Sequence, residues 1–200
     1  MAHLLGLIEG LPAAPFYLAI AVLAAMENIL PPVPADTAVA FGAFLAGRGT
    51  LDAWLVFLLT WIPNVGSATG MYVLGRHYGR PFIEGPIGRR FVSPAALLHV
   101  ERLYEQHGAY GIFVSRLLPV WRALVPPFAG VARVPPGRAL LPMALASGVW
   151  YGGLTYLVAS FGSNFEAVLK ALGRVNAGLA ILATLLLVAL GIWIYRRAKR

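Results

Sequence analysis

Two long apolar stretches of this chain are each interrupted by prolines and by charges. The first runs from Phe16 to Gly47 and is broken by "ENILPPVPAD", residues 27–36. That stretch sets Pro31, Pro32 and Pro34 between Glu27 and Asp36. A proline lacks the N–H of a helical hydrogen bond and clashes with the preceding turn, so no continuous helix passes through. Either arm falls short of the roughly 20 residues that cross a bilayer. Irregular backbone at membrane depth is tolerated only where protein or a cavity surrounds it. The pattern predicts a re-entrant hairpin. The second stretch, Ala109–Val134, reads "AYGIFVSRLLPVWRALVPPFAGVARV". It carries Pro119, Pro126 and Pro127 with Arg116 and Arg122. It predicts a second hairpin.

Composition decides the solvent. Charged residues make up 12% of the 200 residues and hydrophobic ones 59%. Soluble domains carry about 25% charge. With a mean hydropathy of +0.74, the chain reads as one integral membrane domain. It has no cysteine, which excludes disulfides and cysteine-based metal sites. The net charge of +8 is read as basic loops held in the cytoplasm against anionic lipid, not as a nucleic-acid surface. The start of the chain shows no charged n-region or small-residue cleavage site, so no signal peptide is expected.

Between the broken stretches, 54–78 is predicted to span, with small residues at Gly66, Gly70, Gly75 and Gly79 that let another helix approach. Residues 80–108 are polar and basic, and "PAALLHVERLYEQHG" predicts an amphipathic surface helix. Residues 138–161 are predicted to span. A last span is expected at about 174–196, ending in the basic tail "RRAKR". The order hairpin, span, hairpin, span suggests an internal repeat, with a first unit at about 16–79 and a second at about 109–162. Gly42 and Gly130 are 88 positions apart; Gly70 and Gly153, like Gly79 and Gly162, are 83 apart.

Three spans place the termini on opposite sides. With the tail in the cytoplasm, that side collects Arg76, Arg80, Arg89, Arg90, Arg102, Arg133, Arg138, Arg196, Arg197, Lys199 and Arg200. The other side receives only Arg48, Lys170 and Arg174. Such a bias fits the positive-inside rule. It sends the hairpins in from opposite faces, an inverted repeat with its site near the midplane. The fold expected is therefore an all-α polytopic membrane protein, with the N-terminus outside.

Glu27, Asp36, Arg116 and Arg122 then lie within apolar segments. Each unpaired charge costs about 3 kcal/mol at mid-membrane, so pairing between the hairpins is expected. One reading makes them clamps between hairpins. The other makes them a site: Arg116 and Arg122 fork an anionic head group, while Glu27 and Asp36 compete for the same arginines. Burial favours the neutral form of a carboxylate, so protonation can release an arginine and couple the cycle to protons. Asn64 and Ser67 read as hydrogen-bonding partners between helices. Trp61, Trp121 and Trp150 suit either a cavity wall or interfacial belts. His77, His99 and His107 lack the acidic company of a metal site, and Arg89 and Arg90 can face lipid head groups or water. No cofactor is expected. "GSATG" offers a serine with no membrane-embedded histidine as its base, and "SRLLPVWR" offers arginines with no histidine nucleophile, so an enzyme is not expected.

"ENILPPVPAD" with "GAFLAGRG", "GSATGMYVLGRHYGR", "FVSRLLPVWRALVPPFAGVARVP" and "ALASGVWYGG" resembles the DedA family, the bacterial branch of the SNARE-associated Golgi protein or VTT domain. The resemblance covers roughly residues 15–165. It implies an inner-membrane lipid transporter that flips undecaprenyl phosphate or moves phosphatidylethanolamine, with eukaryotic relatives that resemble scramblases and a link to proton-motive force. It places the family's acidic pair on Glu27 and Asp36 and its arginine pair on Arg116 and Arg122. The family's second acid often follows "PG"; here it follows "PA". Two alternatives stand beside it: a proton- or ion-coupled carrier of a small anionic solute, and a scaffold that transports nothing.

Overall fold

The computed structural model describes residues 12–30, 35–79, 108–118 and 121–160, with isolated positions at 81, 170, 173–174 and 177–178. The amphipathic linker and the C-terminal span expected from the sequence lie almost entirely outside these residues, as does the central proline run 31–34.

The described residues are helical, with no strand among them. Helix α1, Ala13–Met26, is rich in Ala and Leu. It tolerates Pro15 in its first turn, where backbone N–H groups have no helical partner. Glu27 caps its C-terminus. Helix α2, Ala35–Gly47, has Asp36 in its first turn, where a negative charge meets the positive end of the helix dipole. It closes with Gly49 at φ 81° and a bond from the Thr50 N–H to the Leu45 carbonyl, 3.0 Å. A glycine adopts that left-handed turn without strain. Helix α3, Ala53–Leu74, starts at Asp52, whose side chain accepts from the Leu55 N–H at 2.9 Å, a standard N-cap. It runs on through a π-helical turn, Gly75–Gly79. Residues 108–116 are helical. Helix α4, Trp121–Val131, closes as α2 does: Arg133 sits at φ 54° and the Val134 N–H reaches the Ala129 carbonyl at 3.1 Å. Helix α5, Pro136–Ser160, opens on a proline, which suits a first helical position.

The same sequence of events occurs twice at nearly constant spacing. Helices α2 and α4 start 86 positions apart, at Ala35 and Trp121. Their left-handed closing residues, Gly49 and Arg133, are 84 apart. Helices α3 and α5 start 83 apart, at Ala53 and Pro136.

Helices α1 and α2 pack on one another, with Phe16 beside Phe41 at 6.4 Å between ring centroids and Ile20 against Gly42. At 14 and 13 residues they match the short arms the prolines impose. Two apolar cores result. One joins Ile20, Val39, Phe44 and Val56 to Tyr151, Leu154 and Val158. The other joins Tyr72, Ile112, Val125 and Ala129 to Ala139 and Met143. Helices α3 and α5 thus run antiparallel, each giving one half to each core. Where α3 meets α4 the backbones touch: a Cβ on Gly130 would strike the Tyr72 carbonyl, and one on Gly75 the Pro127 carbonyl. Of the glycines expected to permit close approach, Gly75 does so and Gly79 lies against the Val131 side chain, while Gly66 and Gly70 have open space beside them.

The predicted spans need one correction. At about 1.5 Å per residue, α3 and α5 are ~33 and ~38 Å long, enough for a hydrocarbon core of about 30 Å. Yet among the described residues no helix is both long and apolar enough to cross a membrane. The deficit has a physical source: α3 carries Thr60, Pro63, Asn64 and Ser67, and α5 carries Pro142 and Ser147. Several of these are buried against other helices, while Trp54, Ile62, Leu141, Leu145 and Val149 face outward. The polar groups face other helices, and much of the apolar surface of α3 and α5 faces outward.

Candidate functional site

The polar cluster lies between the two cores, where α3 crosses α5. Four broken ends converge on it. Glu27 ends α1, Asp36 begins α2, Arg116 ends the 108–116 segment and Arg122 begins α4. Each of the four charges thus stands at or within two residues of a described helix end. The structure therefore brings together all four charges singled out in the sequence. Glu27, Asp36 and Arg116 are each less than a tenth exposed.

The two arginines have different company. Arg122 forks Asp36, Nη1 to Oδ1 at 3.0 Å and Nη2 to Oδ2 at 2.7 Å. Its Nη2 also pairs with Glu27. The Trp150 ring lies under the guanidinium at 5.6 Å, and the indole N–H donates to Asp36 Oδ1 at 3.0 Å. Planar, bidentate pairing of this kind is the strong form of the ion pair. Arg116, by contrast, has no carboxylate within 4.0 Å among the described residues. Its donors go to neutral oxygens: Asn64 Oδ1 at 2.9 Å, Ser147 Oγ at 3.0 Å and Asn28 Oδ1 at 3.3 Å. A longer contact, 3.5 Å, reaches the Arg122 carbonyl. Pro126 stands four residues on and has no N–H for that carbonyl, which leaves it open to Arg116.

Asn64 is the hub. Its Nδ2 lies 3.1 Å from Glu27 Oε2, 3.2 Å from the Ala24 carbonyl and 3.3 Å from the Tyr151 hydroxyl. Its Oδ1 accepts from Arg116 and from Ser147 Oγ, the latter at 3.1 Å. Tyr151 also donates to Glu27 Oε2. Asn28 donates to the Asn64 carbonyl at 3.0 Å and to Ser67 Oγ at 2.9 Å. Together Asn28, Asn64, Arg116, Arg122, Ser147, Trp150 and Tyr151 line a cavity of ≈ 10 Å³ for the centre of a water molecule, about what one water needs.

The sequence reading treated Asn64 and Ser67 as helix contacts; Asn64 joins the charged groups. Trp150 lines the cavity, whereas Trp61 donates to the Ala144 carbonyl at 2.9 Å and ties α3 to α5. The Trp121 side chain, His99, His107, Arg89 and Arg90 lie outside the described residues. His77 is exposed, beside the Val73 carbonyl. Asn28, Ser147 and Tyr151 went unrecognised. The repeat spacing held the signal: Asn64 with Ser147 is an 83-residue pair, and Asn28 with Arg116 an 88-residue pair.

Residues 33–160 match the VTT domain. The chain belongs to the VTT domain family. The match spans both sides of the cluster, from α2 to the end of α5. An "Alkaline phosphatase-like protein" of Lactococcus lactis subsp. cremoris is 26% identical, covering 90% of this chain and 87% of its own. An "Uncharacterized membrane protein YkoX" of Bacillus subtilis is 28% identical over 84% of this chain and 76% of its own. "Undecaprenyl phosphate transporter A" of Bacillus subtilis is 26% identical over 78% of each chain. No solved structure matches. VTT relatives are thus membrane proteins, as the exposed apolar faces of α3 and α5 also suit.

Proposed function

We propose that this VTT protein moves a phosphate-bearing lipid between leaflets of the inner membrane, coupled to protons. Undecaprenyl phosphate, the substrate named for one relative, is the leading candidate; phosphatidylethanolamine is the other. The observation that carries the reading is the burial of two carboxylates and two arginines in one cluster at four broken helix ends. If all four are ionised their charges cancel, so a phosphate monoester entering the cluster unbalances it by about one to two charges. Protons on Glu27, Asp36 or both restore the balance. Arg116 and Arg122 are the head-group ligands, and Glu27 and Asp36 gate them. The cavity is too small for a head group, so the arrangement described is a closed one and the helix ends must part for loading.

The architecture assigned to this function is an inverted repeat of two re-entrant hairpins, each followed by a span. Its support is the 83–86 residue spacing of the helix starts and the pairing across the cluster of residues at similar spacing. The C-terminus is assigned to the cytoplasm on the distribution of arginines.

The test is reconstitution of the full chain in liposomes with a fluorescent polyprenyl phosphate in one leaflet. The wild type is expected to speed its transfer, and folded Arg116→Gln to lose that activity. Equal rates for the two proteins would remove the phosphate role. One competing reading makes a small oxyanion the cargo, since the same two arginines would fork it as they would a head group. Uptake of radiolabelled phosphate into the same vesicles, without lipid transfer, would replace the lipid by a solute.

A further inference from the structure

Arg116 and Arg122 lie in one cluster, but their surroundings have opposite electrostatic effects. Arg122 touches two carboxylates and a tryptophan face. Its charge is more than cancelled by its contacts. Arg116 is 4% exposed and touches the side chains of Asn28, Asn64 and Ser147, all neutral. Neutral acceptors satisfy guanidinium N–H groups without cancelling the positive charge. Such an ion keeps its field in a low-dielectric site, where it acts most strongly. Its hydrogen-bonding partners come from four sides: Asn28 from the end of α1, Asn64 from α3, the Arg122 carbonyl from α4 and Ser147 from α5. Those contacts are all uncharged oxygens; Glu27 at the end of α1, Arg122 on α4 and Tyr151 on α5 act on the Arg116 charge without a carboxylate in contact.

We propose that Asn28, Asn64 and Ser147 are positioning residues that hold Arg116 as an uncancelled cation for the anionic head group, with Asn64 joining that seat to Glu27. This rests on the lipid reading above and divides the arginines: Arg116 receives the anion, and Arg122 is the latch held by the carboxylates. Among the described residues Asn64 is the one side chain hydrogen-bonded to both Glu27 and Arg116. Its amide has a donor end and an acceptor end, and each is committed. The Glu27 contact is one of three on Nδ2, beside the Ala24 carbonyl and the Tyr151 hydroxyl, so Asn64 holds Oδ1 on Arg116 while also touching the acid. Asn64 is thus the direct side-chain link between the acid and the anion seat.

Asparagine and aspartate have nearly the same shape. Asn28→Asp and Asn64→Asp each place a carboxylate against Arg116 at little steric cost; the second also turns an oxygen toward Glu27 Oε2, 3.1 Å from the amide nitrogen it replaces, so Asn28→Asp is the cleaner of the two. The experiment compares binding of two lipids to the full chain in nanodiscs, a polyprenyl phosphate and phosphatidylethanolamine, with thermal stability measured alongside. The expected result is at least a tenfold loss of affinity for the anionic phosphate lipid in both variants. The change for the zwitterionic lipid is expected to be under threefold. A purely structural role lowers stability and leaves this selectivity where it was. If either variant folds and binds the phosphate lipid as the wild type does, Arg116 is not held as an uncancelled cation and the inference falls. If the wild type binds neither lipid, the lipid reading falls and takes the inference with it. Should one variant fail to fold, the other decides.

Discussion

Arg122 grips Asp36 with both arms of its guanidinium, at 3.0 and 2.7 Å. The two residues open helices α2 and α4, which start 86 positions apart. The pair ties the start of the second arm of one broken segment to the start of the second arm of the other.

Breaking that pair leaves a buried charge short of a partner, which costs about 3–5 kcal/mol when the partner is removed outright. Arg122→Gln strands both Glu27 and Asp36 and should fall at the upper end. Asp36→Asn leaves Arg122 still paired with Glu27 and should fall at the lower end. Thermal unfolding in detergent ranks the two. Equal stability of both variants and the wild type would mean that the ion pair does not hold the halves together.

Glu27→Gln keeps the shape and the hydrogen-bonding capacity toward Asn64 and Tyr151 but cannot ionise. It fixes the protonated condition of the proposed gate. Its lipid transfer in liposomes should no longer respond to an imposed pH difference, whereas that of the wild type should. A pH response of the same size in both would assign proton coupling elsewhere.

Trp150→Phe retains a ring beneath Arg122 and removes the indole N–H that Asp36 accepts. Losing a hydrogen bond to a charged group costs about 1.5–3 kcal/mol. The variant should be destabilised by that much and less than Asp36→Asn. Calorimetry of the purified variants checks the order.

The glycines on α3 and α4 divide into two groups. Gly130→Ala sets a methyl against the Tyr72 carbonyl, and overpacking of this kind costs about 1–3 kcal/mol. Gly70→Ala meets open space and removes the backbone freedom of a mid-helix glycine, a gain of about 0.4–1 kcal/mol. Opposite shifts in melting temperature are expected. A loss of stability in both would mean that α3 has another face covered.

The prolines of "ENILPPVPAD" and Pro119 of "SRLLPVWR" stand between described helices, because a missing N–H and a ring clash act locally; Pro126 and Pro127, read as part of the second interruption, mark no break, and α4 runs through both. The charges were enough to single out Glu27, Asp36, Arg116 and Arg122, because a charge in an apolar segment demands a partner. The family was legible in the same stretches. The spans were placed correctly as helices, and Asn64 and Ser67 were read as hydrogen-bonding partners between helices rather than as members of the charged cluster. In the structure those residues face inward, and that is why the helices fall short on hydropathy alone. What the sequence by itself determined was where helices stop and which charges need partners. Only the tertiary structure decided who the partners are. It gave both acids to Arg122 and neutral oxygens to Arg116, and it put Asn64 between Glu27 and Arg116. Those assignments depend on how α3 crosses α5, a matter of distances between residues 83 to 88 positions apart, which no local rule fixes.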